Sequence, residues 1–67
     1  MLRLEAERRR LGISKSELAR RSGLNQVTVI EATNGKRRLG HEQLLKAAAG
    51  LGWIENPEAL LEEVDDA

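Results

Sequence analysis

Apolar residues return at helical spacing in five stretches of the chain, and nowhere do they alternate with polar ones over a useful length. Residues 2–11 are rich in Leu, Arg, Glu and Ala, with Leu4 and Leu11 on one face two turns apart and Gly12 as the stop. Ser14 and Glu17 form a Ser-x-x-Glu capping box that opens a second helix, whose buried side carries Leu18 and Ala19 and which Gly23 ends. Asn25 caps a third helix over about 26–34, closed by Gly35. Local preference disagrees here, because Val27, Thr28, Val29 and Ile30 form a β-branched run. A lone four-residue strand would have no pairing partner, so the helix is the expectation. A fourth helix near 41–50 turns Leu44, Leu45 and Ala48 inward and ends in Gly50-Leu51-Gly52. Asn56 as cap and Pro57 at the first helical position open a fifth over about 57–65, with Leu60, Leu61 and Val64 on its apolar side. The pattern predicts an all-α, compact bundle of five short helices in one domain, 1–67, with a helix-turn-helix unit at about 14–34.

Composition narrows what such a bundle can do. With 67 residues the chain holds one small core and no deep substrate cavity. There is no cysteine, so no disulfide or thiolate metal site is expected, and the single His41 reads as a first-turn helix residue rather than a ligand. No apolar run approaches about 18 residues, so no membrane span is expected and a cytoplasmic protein is the default. No paired nucleophile and base and no phosphate-cradling loop are visible, hence no enzyme activity and no cofactor are expected. The zero net charge conceals a division. All eleven Lys and Arg lie in residues 1–46, which carry +6, and residues 47–67 carry −6. A basic section is the footprint of something that meets phosphates.

The third helix carries the functional argument. At about 100° per residue, Val29 and Ala32 point one way while Val27, Ile30, Glu31 and Asn34 point the other. A helix held on one side and bare on the other suits the major groove of B-DNA, where each base pair presents its own donor and acceptor pattern. Lys36, Arg37 and Arg38 follow directly, where they can neutralise phosphates and suit the helix dipole.

The stretch Arg8-Arg9-Arg10-Leu11-Gly12-Ile13-Ser14-Lys15-Ser16-Glu17-Leu18-Ala19, continuing to Val29, then Asn34-Gly35-Lys36-Arg37-Arg38, Leu44-Leu45-Lys46 and Ala48 through Gly52, resembles the helix-turn-helix domain of the phage lambda repressor and Cro family. The resemblance covers residues 8–52. It implies five packed helices, the second and third reading DNA, usually as a dimer on a two-fold operator. Carried over by position, it implies base contacts from Gln26, Val27, Thr28 and Glu31. Gln26 suits adenine, Val27 a thymine methyl and Glu31 cytosine N4. It places Arg8, Lys15, Asn34, Lys36, Arg37 and Arg38 on the DNA backbone, where contacts orient but do not read sequence. Two positions depart from the family pattern. Thr33 stands where the family often has a Glu paired with the residue matching Arg8, which leaves Arg8 free for phosphate or without order. Ile30 replaces a usually polar residue and forms, with Val27, a small apolar strip.

Two function classes follow: a sequence-specific double-stranded DNA-binding transcriptional regulator such as a repressor, expected as a homodimer, or a protein-interaction module that uses Val27 and Ile30 or the acidic C-terminal helix. Trp53, Leu60 and Leu61 are expected in the core, with a dimer interface as the competing role. Steep loss of duplex affinity with salt separates the two classes.

Overall fold

A computed structural model describes residues 1–65. Four α-helices follow one another: α1 (Arg3–Leu11), α2 (Lys15–Ser22), α3 (Gln26–Thr33) and α4 (His41–Leu51). The fifth element, Pro57–Leu61, is a 3-10 helix. The expected fifth α-helix over 57–65 is therefore corrected to one short 3-10 turn. Asn56 and Pro57 do open it, with Asn56 Oδ1 accepting from the Glu58 N–H at 3.1 Å. The chain then extends because the amino-terminal segment captures its backbone. Arg3 N–H donates to Glu62 O at 2.8 Å, Val64 N–H donates to Met1 O at 2.8 Å, and Leu2 bridges Glu63 in antiparallel fashion. Glu62, Glu63 and Asp65 would also sit badly at the negative end of a longer helix.

The caps explain the boundaries. Ser14 Oγ accepts from the Glu17 N–H at 3.0 Å, and Asn25 Oδ1 from the Val27 N–H at 2.8 Å. The reciprocal half of the expected capping box is absent, because the Glu17 carboxylate instead takes Arg20 and Arg21. That pairing, Arg20 foremost, lowers the Glu17 pKa.

Leu4 of α1, Leu18 of α2, Leu44 of α4 and Leu60 of the 3-10 helix are fully enclosed, so four elements each place one leucine at the centre. α4 packs against α2, α1 and the 3-10 helix, while α3 packs on α2. Leu45, expected inward, is half exposed, because the buried stripe of α4 runs through Leu44, Ala47, Ala48 and Leu51. Leu11 is likewise at the margin of exposure and Leu61 half-buried at the core's edge. Trp53 is also half-buried, its Nε1 donating to Asn56 O at 3.0 Å and its ring centroid 6.0 Å from the Arg3 guanidinium. α2 and α4 approach closely at Gly50, where a Cβ would run into the Ser22 hydroxyl and stand 3.1 Å from the Ser22 backbone nitrogen.

Glu5 is a buried acid on α1. Arg8 Nε and Nη2 donate to its two oxygens at 2.8 Å each, and Arg9 Nε donates at 3.0 Å. The Arg8 hydrogen bonds, opposed by burial and helped by Arg9, hold the Glu5 carboxyl below its ordinary pKa.

Two outcomes are expected. Gly50→Ala raises helix propensity by about 1 kcal/mol but overpacks the α2–α4 contact by more, so a net loss of about 1–2 kcal/mol is expected. Thermal unfolding checks it: a higher Tm than the parent would show that the helices part without cost. Because the folded pKa of Glu5 is lowered, its contribution is present above the unfolded value and disappears as pH falls through the folded one. Glu5→Gln is therefore expected to cost about 1–3 kcal/mol near neutrality. Urea titrations at stepped pH should show that difference shrinking below about pH 4.

Candidate nucleic-acid interface

α3 forms as a helix despite its β-branched run, because its inner face is taken up by the core. Thr28, Val29, Ala32 and Thr33 are buried. Thr33 Oγ1 donates back to Val29 O at 2.8 Å and to Ile30 O at 3.1 Å, so its hydroxyl is satisfied within the helix. The opposite side presents Gln26, Val27 and Asn34 to solvent, with Ile30 and Glu31 intermediate. Val27 is 59% exposed, and the half-covered Ile30 narrows the apolar strip read from the sequence.

The turn between α2 and α3 brings their amino-terminal ends together. Gln26 Nε2 donates to Ser16 Oγ at 2.5 Å, which orients the amide at the start of α3. Lys15 Nζ donates to Asn34 Oδ1 at 2.7 Å, linking the start of α2 to the end of α3. Ser16 carried no signal in the sequence, since its contact with Gln26 exists only once the two helices cross.

Thr28 departs from its expected place among the base contacts. It is 8% exposed, and its hydroxyl accepts from Arg37 Nη1 at 3.4 Å. Arg8 departs as well. Its guanidinium is tied to Glu5, and Nη1 donates to Ile13 O at 2.6 Å, so it braces α1 against the following loop. The expectation that Arg8 lacks a partner without a Glu at position 33 is corrected: Glu5 supplies the charge from one turn earlier on the same helix. The i,i+3 and i,i+4 spacing of Glu5 to Arg8 and Arg9 was the available signal.

Pairing inside helices redistributes the basic charge. Arg10 meets Glu7, and Arg20 and Arg21 meet Glu17. Lys36 and Arg38 are exposed and have no ion pair among the described residues, whereas Arg37 Nη2 lies 3.0 Å from Glu31 Oε1. Glu5 and Glu17 each serve two arginines, so α1 and α2 keep some positive charge, while Lys15, Lys36 and Arg38 place cations at the two margins of the exposed side of α3. His41, at the start of α4, has Nδ1 3.4 Å from Glu58 Oε1. No helix among the described residues is long and apolar enough to cross a membrane.

The helix-turn-helix family model matches residues 4–55, from the first turn of α1 to just beyond α4. No curated protein and no solved structure matches the chain. The match spans well over half of the sequence and contains the whole α2–turn–α3 unit, so the chain belongs to the lambda repressor and Cro type of helix-turn-helix domain, a family of DNA-binding domains.

Proposed function

We propose that this protein is a sequence-specific regulator that lays α3 in the major groove of double-stranded DNA. The observation that carries the reading is the division of α3 itself: one side is locked into the core through Val29 and Ala32, and the other stands open between cationic margins. Gln26 is the leading base reader, its amide suited to the N6 and N7 edge of adenine, and Val27 offers apolar contact to a thymine methyl. Lys15, Asn34, Lys36 and Arg38 hold phosphates and set the orientation of the helix without reading sequence. Arg8 belongs to the bracing of α1 rather than to the DNA contact, since its side chain is largely buried and Nε, Nη1 and Nη2 each donate within the monomer.

A homodimer completes the reading, with two copies of α3 entering successive major grooves about 34–36 Å apart. The support is apolar surface left outside the monomer core, where Ile54 is 96% exposed and Leu45 is half exposed. Burying such side chains against a second copy would add to the limited core that a chain of this size can build. The alternative role as a protein-docking module is less well supported on either of its surfaces: Ile30 is half-covered beside the exposed Val27, and the acidic C-terminal segment forms only a short 3-10 turn.

Selection of duplexes from a random pool, with the mass of the bound species measured in solution, tests the reading. The protein is expected to enrich a two-fold site and to lose affinity steeply as salt rises. Gln26→Ala is expected to change which base is preferred under the start of α3. Lys36→Ala should weaken all duplexes alike and reduce the salt slope by about one. Relative affinities that stay the same across the pool after Gln26→Ala would remove the base-reading assignment.

A further inference from the structure

Gly35, with φ at 77°, turns the chain directly after α3, and the Lys36 N–H donates to Glu31 O at 2.8 Å. This reversal folds the loop back along the helix, so that Arg37 meets two residues one turn apart on α3. Nη2 faces Glu31 Oε1 at 3.0 Å and Nη1 donates to Thr28 Oγ1 at 3.4 Å. The Glu31 oxygen on this side is closed to solvent, whereas the Arg37 side chain keeps about half of its surface, 47%, in the open.

Resting on the reading of α3 as the groove-entering helix, we infer that Arg37 is a guanine reader and that Glu31 is its positioning residue rather than a reader of cytosine. A guanidinium has five N–H donors in a rigid plane; the Thr28 bond uses one, and the Glu31 contact is an ion pair in which Oε1 accepts no hydrogen bond. The donors left are enough for the bidentate grip on guanine O6 and N7 that is the commonest specific contact in the major groove. Holding the guanidinium at Thr28 and Glu31 also removes rotamer freedom before DNA arrives, which lowers the entropy lost on binding. A phosphate contact can be made without such support, by a charge on a free arm of the kind that Lys36 and Arg38 present.

The carboxylate makes sense on the same terms. An unpaired Glu31 on the face that meets DNA would be repelled by phosphates, and the Arg37 partner cancels that charge while the acid aims the base. Gln26 and Glu31 are five residues apart, roughly 7.5 Å along a helix axis. The guanine held by Arg37 is therefore a different base pair from the one under Gln26.

Selection from a random duplex pool, followed by affinity measurements on single-base variants of the selected site, tests this with the parent, Arg37→Ala, Glu31→Gln and the double variant. The parent is expected to require one guanine per half-site in addition to the base read by Gln26. Arg37→Ala should abolish discrimination at that guanine, a loss of roughly 10- to 100-fold, while preference at the Gln26 position persists. Glu31→Gln should weaken the same guanine preference with no new preference elsewhere and no change in Tm. The double variant should regain overall affinity relative to Arg37→Ala, because the exposed carboxylate is gone, without regaining the guanine preference. If Arg37→Ala weakens every duplex by one common factor and leaves the profile unchanged, Arg37 holds phosphate and the inference falls. If Glu31→Gln alone removes a preference that Arg37→Ala leaves intact, the carboxylate reads cytosine directly and the inference falls. A parent that enriches no site at all overturns the DNA reading itself, an outcome separate from either of these.

Discussion

Everything functional in this molecule depends on the anchoring of Val29 and Ala32, which are almost wholly enclosed by the core. Eight residues are too few to hold a helix in water, because nucleation is costly and propagation adds little over two turns. Four of those eight, Thr28, Val29, Ala32 and Thr33, face inward, and burying a valine side chain alone contributes about 1.5–3 kcal/mol. Packing on α2 therefore does for α3 what its own β-branched sequence cannot. The same packing leaves Gln26, Val27 and Asn34 open on the far side of α3, a rigid surface of the kind the proposed groove contact requires.

Rigidity in the rest of the bundle serves that surface. α4 is the element against which the others are organised, and the close approach at Gly50 sets how near α2 can lie to it. Because α3 packs on α2, the α2–α4 separation also sets where the exposed side of α3 stands. The enclosed Glu5, with Arg8 and Arg9, ties α1 to the loop that leads into α2 through the Arg8 contact with Ile13 O. The chain's two outer segments meet in the short bridge between Leu2 and Glu63, beside the α3–α4 loop residues Gly35, Arg37 and Arg38.

Charge along the chain and charge on the surface are different quantities here. The first 46 residues carry a surplus of bases, yet most arginines of α1 and α2 are matched by acids one turn away on their own helix. Surface ion pairs of that kind contribute little to stability, but they do flatten the local field. Because Glu5 and Glu17 each serve two arginines, some surplus stays on α1 and α2, and Lys15 with the loop after α3 adds cations beside the exposed stripe. A positive potential placed at the margins of a neutral or polar stripe steers a polyanion while leaving the stripe available for base edges.

Local chemistry made much of this legible beforehand. Ser14, Asn25 and Asn56 are caps in the structure as their side chains suggest, and the glycines after α1, α2 and α4 take the left-handed conformation that ends a helix. These depend on residues within four positions of one another, so the sequence alone determined the four α-helices, their approximate ends and the helix-turn-helix order. Contacts between segments distant along the chain were decided only in three dimensions. Leu45 lies outside and Ala47 inside because the neighbours of α4 select its stripe. The region after Leu61 is extended because residues 1–3 bond its backbone. Arg37 lies against Thr28 and Glu31 because Gly35 reverses the chain. In each case a residue's own preference is worth less than the backbone hydrogen bonds or apolar burial that a distant segment supplies, and only the assembled fold brings that segment into reach.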